Sequence, residues 1–187
     1  MTPTTFLEAV NSLLSALGSA PTDTLDSPNM EVILAQRILT EVSREIQTQG
    51  WAFNREIDYP LIPNQAGEIL LPRNCLKVEE TDGDPFLVAR GKRLYDAQRQ
   101  TYRLRRSVKA RLVMGLPYEE LPEPFRRYVL IRSARIFTDR LLGSSALHAF
   151  SEADELVALS ALRNAENQAT NPNLLKGNGY FDSLLRR

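Results

Sequence analysis

Glu119, Glu120 and Glu123 fall within five consecutive positions, and a pair of nearby carboxylates is what glycoside hydrolysis requires. Such chemistry also needs a cleft and two carboxylates in different environments. The same three acids stand at the start of an expected helix, where they complement its dipole. Glu123 and Arg127 are moreover spaced as an i,i+4 ion pair, and this second account is preferred. Gly83 to Arg93 contains Gly91-Lys92 and invites a phosphate-loop reading. Seven residues separate Gly83 from Gly91 where that motif needs four, and Arg93 stands where a Ser or Thr would bind magnesium. A hairpin turn is the better account.

His148 is the single histidine and Cys75 the single cysteine, so an intramolecular disulfide is impossible and most zinc chemistry is not expected. No G-x-S-x-G nucleophile elbow occurs. No catalytic, cofactor-binding or metal-ligating residue is therefore expected, and the chain is not expected to be an enzyme.

The cations carry more information. The chain has 23 Lys+Arg against 23 Asp+Glu, yet the balance is uneven along its length. Residues 1–89 hold five basic and thirteen acidic residues, whereas 90–140 hold fourteen basic and five acidic. Arg90, Lys92, Arg93, Arg99, Arg103, Arg105, Arg106, Lys109 and Arg111 are interleaved with Tyr95 and Tyr102. Basic residues among aromatics can track a phosphate backbone, which would make a non-specific DNA-binding module. No recognition motif accompanies them, so sequence-specific reading is not expected, and exposed strand faces and salt bridges to another subunit are the preferred account.

These residues must be positioned by ordinary globular elements. A chain of 187 residues, 43% apolar and 25% charged, fits one domain, or one domain carrying a sizeable insertion. Its apolar runs fall far short of the ~20 residues that span a bilayer. No membrane anchor is expected, and the N-terminus lacks the basic region that opens a signal peptide. Thr5 with Glu8 reads as a capping box opening a first helix, stopped by Gly18. Ser27 as N-cap with Pro28 opens a second, ended by Gly50, with Val32, Ala35, Ile38, Leu39, Val42 and Ile46 on one arc.

From Trp51 the pattern alternates, and short strands are expected at 51–57, 68–71, 76–78, 86–89, 94–96, 102–104 and 110–114, interrupted at Pro60 and Pro63. A long third helix runs to Leu142 with apolar residues on several sides, so it is central or buried by another subunit. A fourth begins at Ser144 or Ser145. The fold class is α+β: a four-helix bundle-like helical domain (1–50 and 119–170), an inserted small antiparallel β domain (51–118) and a flexible C-terminal tail (171–187).

In this order the segments resemble a known family. Val10 to Gly18, Thr24-Leu25, Ala35 to Arg44 and Gly50-Trp51-Ala52-Phe53-Asn54 are similar to the start of tail tubular protein A, the head-to-tail adaptor of short-tailed bacteriophages. Tyr95-Asp96, Leu121 to Tyr128, Ala134-Arg135, Phe137 and Arg140 to Gly143 continue the likeness. The resemblance implies a virion protein assembled in the host bacterial cytoplasm. It also implies a ring of twelve copies joining the portal protein to the tail nozzle, contributing to tail-fibre attachment and passing DNA through its lumen without specific recognition.

A ring needs one face to complement a different face of the next copy. Ile33, Leu34, Arg103, Arg105, Arg106, Arg132 and Arg135 are the candidates for subunit or partner contact. In the tail, Tyr180, Phe181, Leu184, Leu185, Arg186 and Arg187 are the candidates for the portal. An envelope-glycan hydrolase using Glu119, Glu120 and Glu123, and a non-specific DNA binder, are the alternatives.

Overall fold

The computed structural model describes residues 2–81, 83–142 and 145–170, those at 80, 142 and 145–151 by backbone alone. The tail expected over 171–187, the stop expected at Gly143 and the side chain of His148 lie outside these residues. Four helices and five strands follow in the order α1 (Phe6–Ala16), α2 (Met30–Gln47), β1 (Arg55–Leu61), β2 (Cys75–Thr81), β3 (Leu87–Arg90), β4 (Arg93–Asp96), β5 (Val108–Met114), α3 (Glu123–Leu142) and α4 (Ser145–Thr170). The architecture is α+β, with a helical bundle and small antiparallel sheets.

α1 begins at the expected capping box, with the Thr5 hydroxyl accepting from the Glu8 amide and the Glu8 carboxylate accepting from the Thr5 amide. It ends in a Schellman motif: Ser19 N donates to Leu14 O and Gly18 N to Ser15 O, with Gly18 at φ +78°. α2 starts two residues later than Ser27 and Pro28 suggest. Asn29 is its N-cap, its side chain accepting from the Glu31 amide, while Ser27 accepts from the Asn29 amide in a turn just outside.

α3 resolves the ambiguity of its apolar pattern by lying against α1, α2 and α4. Phe125, Val129 and Phe137 have no exposed surface, and they share one core with Ala9, Leu13, Leu14, Ile38, Leu39 and Ile46. Each such side chain stabilises the fold by roughly 1.5–3 kcal/mol through its burial. The edges of Trp51 and Phe53 meet Phe125, at centroid distances of 5.8 and 4.9 Å.

The β region departs from the alternating pattern at its start. Residues 52–54 form a 3-10 turn, and β1 begins only at Arg55. β1 then runs through Pro60, which pairs with Lys109. The sheet order β1-β5-β2 explains this, because an edge strand has one side on which a missing N–H breaks no ladder. The hairpin expected at Gly91-Lys92 joins β3 to β4, and Gly91 at φ +63° supplies the positive φ that the first position of a type II′ turn asks for. Residues 68–71 and 102–104 do not form strands; they contribute single bridges, Glu68 to Arg103 and Leu70 to Arg93. Both sheets close on a second core that includes Leu61, Ile69, Leu87, Leu94, Val108 and Leu112.

The helical bundle and the β region are joined where the chain enters and leaves the latter, by bonds of Asn54 to Met114 and of Gln47 to Leu116. Gly50 sits there at φ +81°, and a Cβ on it would approach Glu79 Oε1 to 2.9 Å and Val113 Cγ2 to 3.1 Å. Gly50→Ala is therefore expected to lower stability by about 2 kcal/mol, from left-handed backbone strain plus crowding. Urea denaturation followed by circular dichroism checks it, and an unchanged midpoint would show that the joint is loose.

Candidate functional site

The β3–β4 hairpin sorts its side chains by register. Val88 opposes Tyr95 and Arg90 opposes Arg93, so these four share one face, while Leu87 and Leu94 point into the core from the other. On the outward face the Arg90 guanidinium lies 3.8 Å from the Tyr95 ring centre and that of Arg93 lies 4.1 Å from Tyr102. The two ring centres are 4.8 Å apart with the rings tilted by 59°, so the four side chains form one ladder of contacts, Arg90-Tyr95-Tyr102-Arg93. Arg93 also pairs with Glu68 at 2.9 Å. Stacking of this kind stabilises by about 0.5–1 kcal/mol per pair at exposed sites, and it holds flexible arginines in one place. The interleaving of cations with Tyr95 and Tyr102 was visible in sequence; that they stack was not, because it depends on the hairpin register.

Arg103, Arg105 and Arg106 are brought together. With Arg99, Asp84 and Asp96 they line a basin of about 720 Å³. Asp96 is buried and accepts from the Arg99 amide at 2.8 Å, and Arg106 reaches Asp84 at 3.4 Å. Arg132 and Arg135 lie elsewhere, on α3, and their charges are answered within the chain. Arg132 reaches Glu155 at 2.8 Å and Glu45 at 3.0 Å, and Arg135 reaches Glu155 at 2.6 Å. Burial alone would raise the Glu155 carboxyl, yet the guanidiniums of Arg135 and Arg132 hold it below its ordinary value. Ile33 is exposed on α2, whereas Leu34 is half-buried against the helical core.

The three glutamates do not converge on a cleft. A cleft of about 690 Å³ opens between the helices and the β region, lined by Phe6, Arg44, Arg73, Leu76, Tyr118 and Glu119 among others, but not by Glu120 or Glu123. Glu123 turns to Thr4 rather than to Arg127, accepting from its amide at 3.0 Å and its hydroxyl at 2.6 Å. Beside it the buried Arg126 donates to the carbonyls of Thr4, Leu121 and Glu119. These bonds fasten the N-terminus to the start of α3, which is a structural use of the cluster. Cys75 is half-buried, and burial pushes its thiol up, away from a reactive thiolate. Among the described residues no group of three or more His, Cys, Asp or Glu could hold a metal ion, and no helix is long and apolar enough to cross a membrane.

A second acidic and apolar patch went unnoticed in the sequence. On β1, Glu56, Ile57 and Asp58 are all exposed in succession, Ile57 by 69%. The register of β1 on β5 slips between Glu56 and Tyr59, and Asp58 takes φ +54°, so a bulge turns three consecutive side chains to solvent. A one-residue irregularity of this kind leaves no mark in residue order beyond an Asp, which tolerates that backbone.

Comparison with known proteins places these surfaces in context. A family model described as tail tubular protein matches residues 7–172. Tail tubular protein A of Klebsiella phage KP34 is 28% identical over 158 residues, covering 84% of this chain and 84% of that protein.

Proposed function

Since the chain belongs to the tail tubular protein family and is thus a structural component of a bacteriophage tail, we propose that it is the adaptor ring between the portal and the tail nozzle. In this reading about twelve copies assemble head to tail, as closed rings do. DNA crosses the lumen without being read, and the ring also helps to seat the tail fibre. The helical part, residues 1–50 and 119–170, and the β part, 51–118, act as two units. Tyr180, Phe181, Leu184, Leu185, Arg186 and Arg187 contact the portal. Ile33, Leu34, Arg103, Arg105 and Arg106 serve contacts between copies or with tail partners. Arg132 and Arg135 act mainly within the chain, since Glu45 and Glu155 already engage them.

The observation that carries the proposal is the separation of exposed charge into a basic hairpin and an acidic β1 flank on one small β region. A channel for DNA should not grip phosphate, because each retained contact adds salt-dependent affinity that slows passage. The basic ladder is accordingly assigned to protein. Sedimentation velocity of this protein with the purified portal of the same phage tests the reading. The expected result is co-sedimentation at about one copy per portal subunit. A chain that stays apart from the portal, or that binds duplex DNA tightly at physiological salt, would overturn it.

A further inference from the structure

We propose that neighbouring copies in the ring meet through their β regions, the outward face of the β3–β4 hairpin docking on the β1 flank of the next copy. This rests on the ring reading above and says which surfaces make the ring. The hairpin face offers Val88, Arg90, Arg93, Tyr95 and Tyr102; Val88 is 39% exposed, and among the described residues no carboxylate pairs with Arg90. The β1 flank offers Glu56, Ile57 and Asp58, and neither acid has a cationic partner among the described residues. Each patch thus holds an exposed branched aliphatic residue beside charge, Arg90 on the hairpin and Glu56 and Asp58 on β1, although Arg93 is already answered by Glu68 and Lys109 and Arg111 of β5 border the acids.

Position supports the pairing as much as chemistry does. The three-stranded sheet runs β1-β5-β2, and the hairpin follows β2 and touches it through β3. β5 and β2 therefore lie between β1 and the hairpin on that side, while on its other edge β4 meets residues 69–71. Copies related by rotation about a ring axis keep every part of the chain at its own height, so β region meets β region, and two different surfaces are what a head-to-tail contact uses. Arg and Tyr are the residues that concentrate binding energy in interfaces, and here the cation–ring contacts already bias the arginine rotamers. The bulge on β1 blocks simple edge-to-edge strand addition, leaving side-chain contact as the mode of union.

Cysteine cross-linking in the full chain with the portal tests this. In a Cys75→Ser background, Val88→Cys and Ile57→Cys in one chain should give, on mild oxidation, a ladder of covalent multimers that dithiothreitol collapses. Val88→Cys with Val157→Cys, which pairs the hairpin with exposed α4, should give none. Independently, Arg90→Glu should raise the concentration for half-assembly about tenfold, and adding Glu56→Arg in the same chain should restore it. Glu56 is chosen over Asp58 because the positive φ at 58 would strain an arginine.

Rings by sedimentation with no Ile57–Val88 ladder and no effect of Arg90→Glu would overturn this interface while leaving the adaptor reading intact. Absence of any ring, with or without the portal, would overturn both. Should Arg90→Glu abolish duplex binding and leave assembly untouched, the ladder is a nucleic-acid surface and the proposal is wrong.

Discussion

Asn54→Ala is expected to destabilise the protein by about 3 kcal/mol, roughly 1 kcal/mol for each of its three lost hydrogen bonds. The Asn54 side chain is buried, accepts from the Trp51 amide at 2.8 Å, and donates to the carbonyls of Gln47 at 3.0 Å and Met114 at 2.9 Å. Removing it leaves one donor and two acceptors without this partner inside the protein. Asn54→Asp should be at least as harmful, because a carboxylate cannot donate to two carbonyls. Trp51 is the single tryptophan and its indole N–H donates to Ile46 O at 2.8 Å, so its fluorescence reports on this joint. A urea midpoint within error of wild type would mean that the joint is held by packing alone.

The second large effect is expected at Glu155. Its carboxylate answers both Arg132 and Arg135, joining α4 to α3, while Glu45 brings in α2. Glu155→Ala leaves two half-buried guanidiniums without their main partner, at a cost of about 2 kcal/mol after allowing for their solvent contact. The same residue predicts a pH dependence. Folding lowers the Glu155 carboxyl below its ordinary value of 4.5, so its stabilisation is fully present above that value. It is lost as pH falls through the lowered folded value. Melting temperature should therefore drop on acidification below about pH 4.5 by more in wild type than in Glu155→Gln, where this contribution is absent. Equal slopes would assign the acid sensitivity to other carboxylates.

Both predictions turn on contacts between residues far apart in the chain, and that is where reading the sequence stopped. The capping box at Thr5, the stop at Gly18 and the turn at Gly91-Lys92 were legible because each is decided within four or five residues. The period of α2 was equally plain, since a helix writes its buried face at fixed spacing. Trp51 to Asn54 misled because their alternation imitates a strand, whereas Asn54 serves backbone groups at 47, 51 and 114. Pro60 looked like an interruption because edge position is a property of the sheet, not of the segment. α3 carried two explanations of its all-round apolarity, and only the packing of three helices on it selects the central one. The basic stretch marked the hairpin as a surface of interest, but the ladder and the β1 flank required register and bulge.

The clamp between helices and sheet has a mechanical side. The β region is reached by one crossing at residues 50–54 and left by another at 114–117, and both are tied to the last turn of α2. Gln47 holds the second through a reciprocal pair with Leu116, at 2.8 and 3.1 Å, as Asn54 holds the first. Short polar bonds are stiff over tenths of an ångström and give way beyond that. A pull or twist applied at the hairpin therefore converges on this narrow neck, which transmits small loads rigidly and yields before either core does. The weak point of the protein under force is a handful of amide hydrogens beside Gly50.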